Sequence, residues 1–548
     1  MKIALSQLNY HVGNFTFNTS RIIDAIEKAE NEKVDLLVFA ELAVCGYPPL
    51  DFLDYSHFID RCKEHIQIIA DRCHQITVIV GAPATNPDPK GKNLFNSAYV
   101  LSEGKVQQIV HKTLLPTYDV FDEYRWFESN REFNCIEVNG VKIALTVCED
   151  LWNIDDDPLY TFWPMKELIT QQPKLMINIA ASPFNYRHAE DRKAILQKNV
   201  REYKLPLLYV NQVGAQTDLI FDGGSLMMLA DGTVAAEAAY FTEDFIVADF
   251  DAATGTLNAA GAPVNTPGSR IARIHDALVT GIRDYFRKMG FRKATLGMSG
   301  GIDSAVVLAL ACEALGAENV HAVMMPSEYS SDHSVSDSVE MVQRIGCTSE
   351  IIPIAPMYNA FLKALENDFA GLPFNVAEEN IQARVRGVTL MALSNKLGFI
   401  LLNTSNKSEL AVGYGTLYGD MCGGLSVIGD CYKTDVYALA QYINRNGEVL
   451  PKNIITKPPS AELRPGQKDS DSLPDYDILD GILFRYIEEQ KGPDKIINDG
   501  FEEALVYRVL KMVNNNEWKR HQFAPILRIS PKAFGRGRRM PLVAKYLG

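Results

Sequence analysis

Residues 294–310, ATLGMSGGIDSAVVLAL, change hydrophobic period within a few positions. Thr295, Leu296 and Met298 read as the end of a buried strand, Gly300 and Gly301 permit a tight turn, and residues 304–314 form an apolar helical run. A helix opening behind a glycine turn presents free N–H groups and the positive end of its dipole, and glycine lets a phosphate approach the backbone closely. The Gly-Lys-Ser/Thr ending of a Walker loop occurs neither here nor elsewhere in the chain. Around this loop, strands are expected at 320–325, 349–354 and 399–403, with helices at 271–289 and 335–345. That alternation predicts a doubly wound parallel sheet of Rossmann-like α/β type, with nucleotide at the C-terminal strand ends.

The six residues Ser299 to Ser304, SGGIDS, resemble the signature of the ATP pyrophosphatases, whose fold is of the adenine nucleotide α-hydrolase type. The resemblance implies that Gly297, Met298, Ser299, Gly300, Gly301, Ile302, Asp303 and Ser304 hold ATP, with Asp303 reaching pyrophosphate through magnesium. An ordinary strand–turn–helix corner with Asp303 as N-cap is the alternative. It needs one glycine and one capping residue, not Ser-Gly-Gly followed by Asp-Ser.

Length and composition set the frame. The 548 residues exceed one core, and hydrophobic and charged contents of 47% and 22% are those of a globular protein. A net charge of -14 argues against bulk binding to nucleic acid or an anionic membrane. The amino-terminal MKIALSQLNY reads as a strand rather than a secretory signal, and no apolar run reaches membrane-spanning length. Nine irregularly spaced cysteines make neither a disulfide framework nor a zinc pattern, which fits a reducing cytoplasm.

Residues 1–250 alternate short apolar strands (3–8, 36–40, 77–82, 106–111, 143–147, 175–179, 207–211) with helices (18–33, 57–74, 159–170, 189–203). Three strand ends deliver a reactive side chain: Glu41 in VFAELAVCGYPPLD, Lys112 in VHKTLLPTYDVFDE and Cys148 in ALTVCEDLW. These motifs resemble those of the nitrilase (carbon-nitrogen hydrolase) family, which implies a nitrilase-like αββα sandwich and a Glu-Lys-Cys triad. A thiol attacks an amide carbonyl as thiolate, so Cys148 needs a base, Glu41, and a cation, Lys112, beside the tetrahedral oxygen. The same resemblance implies that Tyr118, Ser182 and His188 bind the amino-acid end of glutamine, and that Glu123 is a further structural glutamate. His188 stands where the family usually carries Lys or Arg, and Arg187 is the alternative for that contact.

Residues 251–269 are Gly/Pro/Ala-rich and read as a linker, leaving 270–548 for the second domain. There EENIQARVRG, NTSNKSE with YGTLYGD, YKTDVYALA, KPPSAELRP with SLPDYD, and EWKRHQFAP resemble the NAD synthetases, and the whole chain resembles their glutamine-dependent members. Carried over position by position, the resemblance implies that Thr404 and Lys433 bind ATP. It also implies that Asn380, Glu409 and Lys519 bind deamido-NAD, and that Asp303 and Glu409 hold magnesium. The Pro/Ser-rich segments 326–334 and 458–475 read as lids over ligand.

The expected reaction converts the nicotinate carboxylate of deamido-NAD to an acyl-adenylate with ATP as co-substrate, and then to the amide with ammonia from glutamine. The resemblance further implies an enclosed ammonia passage and a homo-oligomer formed through the synthetase domain. Another acceptor, as in GMP or asparagine synthesis or tRNA thiolation, is the alternative enzyme. A catalytically silent nucleotide-sensing scaffold is the alternative outside enzymes.

Overall fold

Strict alternation along Lys2–Gln7 decides the architecture of the first half. Ile3 and Leu5 join the cluster containing Ile143, Leu145, Ile177 and Leu208, whereas Ala4 joins Leu37, Val78 and the helical Ile22, Ile26, Ile59 and Ile66. One face of each strand therefore meets a second sheet and the other meets helices, as the period of two requires. The computed structural model describes residues 1–548 except 155, 156, 260, 465, 547 and 548, together with the side chain of Asp332. The chain divides into two units, Met1–Gly268 and Ser269–Gly548.

In the first unit a seven-stranded sheet runs Thr256–Asn258, Asp244–Asp251, Lys2–Gln7, Leu36–Val38, Thr77–Thr85, Leu94–Ser102, Lys105–His111. A six-stranded sheet runs Val234–Glu237, Leu226–Met228, Leu207–Val210, Leu175–Ile179, Val141–Val147, Ile136–Val138. Helices Phe15–Asn31 and Ser56–Ala70 cover the first sheet, and Leu196 and Val200 of His188–Tyr203 join the core of the second. This is the αββα sandwich.

Several elements differ from expectation. Leu94–Ser102 is a strand whose polar Asn96 and Ser97 hide its period, although both are fully buried. The helix expected at 159–170 is shorter: Pro164–Leu168, followed by a 3-10 turn Ile169–Gln171, because Pro164 starts it. The run from Asp251 begins inside Asp244–Asp251 and continues into Thr256–Asn258, which pairs with it.

In the second unit five strands run Thr348–Ile351, Val320–Met324, Ala294–Met298, Ile400–Asn403, Leu425–Ser426, and every pair is parallel. Order reverses beside Ala294–Met298, the switch point where such sheets open a crevice. The SGGIDS loop emerges from that strand into helix Ile302–Leu315, and helix Val376–Leu397 packs on the same strand.

Candidate active sites

Glu41 follows the strand Leu36–Val38, and its position depends on a glycine. A Cβ at Gly81 of the neighbouring strand would fall 2.3 Å from Leu42 N and 2.7 Å from the Glu41 carbonyl carbon, so only glycine admits this turn. Glu41 Oε1 accepts from Lys112 Nζ at 2.7 Å and from Asn96 Nδ2 at 2.7 Å, while Oε2 accepts the Ala181 N–H at 2.8 Å. Lys112 also meets Glu123 at 2.8 Å, and Tyr47 Oη donates to Glu123 at 3.0 Å. Lys112 is fully buried and Glu41 and Glu123 nearly so. Burial alone pulls the Lys112 ammonium towards neutrality, but the carboxylates of Glu123 and Glu41 outweigh it and hold its affinity for the proton well above that of a free lysine.

Cys148 ends the strand Val141–Val147 and opens a 3-10 turn with φ +44°, a left-handed conformation that strains a residue carrying a Cβ. Asp150 fixes that turn against the Lys112 strand end. It accepts the N–H groups of Thr113 (2.9 Å), Leu114 (2.8 Å) and Val147 (3.1 Å). Burial, and then the charge of Glu41, push the Cys148 thiol well up, with Lys112 opposing, so the resting sulfur is protonated. Glu123 is pushed up to about 7, by burial first, with Lys112 pulling against it and Glu41 adding to the rise.

The residues expected to read glutamine lie on the flank of this site. Ser182 Oγ is 2.6 Å from His188 Nε2, and the His188 ring stacks on Trp152 at 5.0 Å and 10°. Arg187 is exposed, with its guanidinium over the Tyr186 ring. Tyr118 Oη donates to Glu149, the neighbour of Cys148, at 2.9 Å, and Tyr160 Oη donates to it at 3.1 Å. Asn96, Tyr47, Asp150 and Glu149 were missing from the sequence reading. Asn96 and Ser97 did carry a signal, as polar residues inside an otherwise apolar run.

The SGGIDS loop of the second unit has Gly300 at φ +74°, where a Cβ would lie 2.4 Å from the Ser334 carbonyl oxygen. Two hydroxyls brace it: Gly301 N donates to Ser299 Oγ at 3.2 Å, and Ser304 Oγ donates to the Gly301 carbonyl at 3.0 Å. The loop lines a cavity of about 280 Å³ together with Thr404, Glu409, Lys433 and Arg386. Asp303 accepts from Lys433 Nζ and, at 3.0 Å, from Asn406 Nδ2. Asn406 caps the helix Lys407–Val412 reciprocally with Glu409, whose carboxylate lies 3.7 Å from Lys433. Burial, then Asp303, push Glu409 up to about 8, with Lys433 opposing. Lys433 is itself set by its helix start, where Ser408 Oγ accepts its N–H at 2.9 Å and Asp480 accepts both that hydroxyl and Thr434 N.

Asn380 and Lys519 do not line this cavity. Both grip the segment beside it: Thr416 Oγ1 donates to Asn380 at 2.7 Å, and Lys519 donates to the Gly413 and Gly415 carbonyls at 2.8 and 3.0 Å. Among the described residues, no group of three or more His, Cys, Asp or Glu side chains has metal-holding geometry. Asp303 and Glu409, both beside Lys433, match the smaller demand of magnesium, which takes one or two carboxylates and completes its shell with phosphates and water. No described helix is long and apolar enough to cross a membrane.

Two family profiles divide the chain as its two units do: carbon-nitrogen hydrolase matches residues 2–258 and NAD synthase matches residues 274–523. A thiol hydrolase fold is thus fused to a nucleotide-activating fold. The full length is 44% identical to a glutamine-dependent NAD(+) synthetase of Synechocystis sp., covering 99% of each chain, and 38% identical to that of Thermotoga maritima, covering 100% of this chain and 99% of the other. A solved glutamine-dependent NAD+ synthetase of Acinetobacter baumannii, in complex with adenosine diphosphate, superposes with a TM-score of 0.78 at 39% identity, over 99% of this chain and 98% of that one. The chain belongs to the glutamine-dependent NAD(+) synthetases.

Proposed function

We propose that this chain catalyses ATP-dependent amidation of deamido-NAD to NAD, with glutamine as nitrogen donor and AMP, pyrophosphate and glutamate as the other products. The observation that carries this is the presence in one chain of a buried thiol next to a Lys–carboxylate pair and of a glycine phosphate loop facing Lys433 and Glu409.

In the first unit Glu41 takes the Cys148 proton as sulfur attacks the glutamine amide. Both oxygens of Glu41 are already hydrogen-bonded, so it acts without reorganising. Lys112 stabilises the tetrahedral oxygen, Glu41 returns its proton to the departing nitrogen so that ammonia leaves, and Glu41 then takes a proton from the water that attacks the thioester. Tyr118, Ser182 and His188 hold the amino-acid end of glutamine. His188, which meets Ser182, is assigned the carboxylate contact in preference to Arg187.

In the second unit residues Gly297 to Ser304, with Thr404 and Lys433, bind ATP, and Asn380, Glu409 and Lys519 serve deamido-NAD, the first and last by shaping segment 413–420. Asp303 and Glu409 would hold magnesium, which when bound spreads the negative charge developing on the phosphates. The adenylated carboxylate gains AMP as leaving group, and ammonia released from glutamine displaces it. Phe361, Leu372, Phe374, Val376, Val388 and Met391 expose an apolar face on or next to helix Val376–Leu397, and a second copy of the chain is assigned to cover it. Nine free cysteines suit a reducing compartment, and the cytoplasm is the proposed location.

Amide-¹⁵N glutamine tests the reaction. The label appears in the carboxamide of NAD even with unlabelled ammonium in the medium; label confined to free ammonium contradicts the proposal.

A further inference from the structure

Three cations line the second unit's cavity: Lys433, Arg386 and Lys457. Lys433 is held by Asp303, a residue of the phosphate loop itself, and Arg386 donates through Nε to the Met325 carbonyl at 3.1 Å. Lys457 differs in both partner and setting. Its ammonium meets Glu462 Oε1 at 2.7 Å, on the second of the segments read as lids. The same carboxylate oxygen accepts from Ser331 Oγ at 3.0 Å and Ser334 Oγ at 2.8 Å, at the end of the first. Lys457 Nζ also touches Ser334 Oγ. An ammonium and two hydroxyls thus converge on one half-buried anionic oxygen.

The place of this cluster matters more than its bonds. Ser334 is the residue against which Gly300 of the phosphate loop packs, so close that a Cβ at Gly300 would overlap Ser334 backbone. Lys457, Glu462 and Ser334 therefore line the same cavity as SGGIDS, with Ser331 bonded to Glu462. A carboxylate with one negative oxygen at the focus is a weaker partner for such a donor set than a phosphate with several.

We infer that Lys457, with Ser331 and Ser334, is the receiving site for the pyrophosphate leaving group, and that Glu462 fills it in the ligand-free protein. The inference rests on the proposed adenylating reaction and adds a residue set to it. On this view pyrophosphate displaces the Glu462 carboxylate from Lys457. The displaced carboxylate leaves the cavity wall, and the segment carrying it changes partner only when the anion is present.

Magnesium pyrophosphate binding to the full-length protein, measured by titration calorimetry, tests it. Lys457→Met weakens binding by about tenfold or more, and Lys457→Arg restores most of it. Glu462→Gln tightens binding about threefold or more, because the competing charge is gone, and tightens it less in the Lys457→Met background, where only Ser331 and Ser334 remain to be freed. A merely structural brace gives the opposite pattern: Glu462→Gln weakens binding alongside Lys457→Met, and that result overturns the inference. Unchanged affinity in both variants overturns it too, with the adenylating reaction intact. A wild-type protein that binds neither magnesium-ATP nor magnesium pyrophosphate overturns the inference and the reaction together.

Discussion

Replacing Lys112 by Met keeps the length and apolar stem of the side chain and removes only its charge. The structure puts that charge 2.7 Å from Glu41 and 2.8 Å from Glu123, with all three groups shut away from solvent. Breaking a buried pair by deleting one partner costs about 3–5 kcal/mol. Here the deletion leaves two buried carboxylates, so Glu123, already at about 7 with the lysine present, is driven higher. A carboxyl raised above its unfolded value contributes stability at low pH and loses it as pH rises through the folded value. The wild type has completed that loss near pH 7, whereas the variant continues to lose stability above it. The gap between the two proteins therefore widens by up to about 1.4 kcal/mol per pH unit above pH 7.

Urea unfolding followed by tryptophan fluorescence reads this, since Trp126, Trp152 and Trp163 lie in the first unit and only Trp518 in the second. Glutamine-driven NAD formation falls by about 10²–10³-fold with the loss of an oxyanion partner, and ammonia-driven formation persists. A stability gap that is the same at pH 6.5 and 8.5, or glutamine use within twofold of wild type, refutes the charge argument.

Cys148→Ala removes glutamine-driven activity and leaves ammonia-driven activity, while Asp303→Ala lowers both; initial rates with each nitrogen source check the pair. Gly300→Ala forces a Cβ to 2.4 Å from the Ser334 oxygen at a left-handed φ, so magnesium-ATP binding falls by tenfold or more; calorimetry that finds wild-type affinity would show that the loop can shift. Asp150, raised by burial to about 6 from 3.8, makes wild-type stability decline between those pH values by roughly 3 kcal/mol. Asp150→Asn removes that part of the slope and leaves one of three backbone donors without its acceptor, which denaturation at pH 4.5 and 6.5 detects.

Where backbone chemistry dominates, the site was legible before the structure. SGGIDS needs a glycine at φ +74° and hydroxyls on either side, and those demands write themselves into six consecutive residues. Glu41 and Cys148 were likewise visible because each follows an apolar strand, and Lys112 because it follows the more polar strand Lys105–His111. Asn96 was not, because its strand pairs with neighbours on both sides and buries polar residues that break the period. Nor was the cluster of Lys457 and Glu462 with Ser331 and Ser334, two local pairs that lie more than a hundred residues apart and meet only through tertiary packing. Asn380 and Lys519 show a third case. Their motifs were recognised, but the structure has them gripping segment 413–420 rather than lining the cavity, a distinction no local pattern encodes.

Incubating the purified protein with magnesium-ATP, deamido-NAD and glutamine, and following NAD, AMP and glutamate by mass spectrometry, tests the central claim most directly. The account predicts that NAD and AMP appear in equal amounts with glutamate rising alongside, and that omitting deamido-NAD stops AMP formation. Glutamate and AMP without NAD would contradict it, leaving the two chemistries in place with a different acceptor.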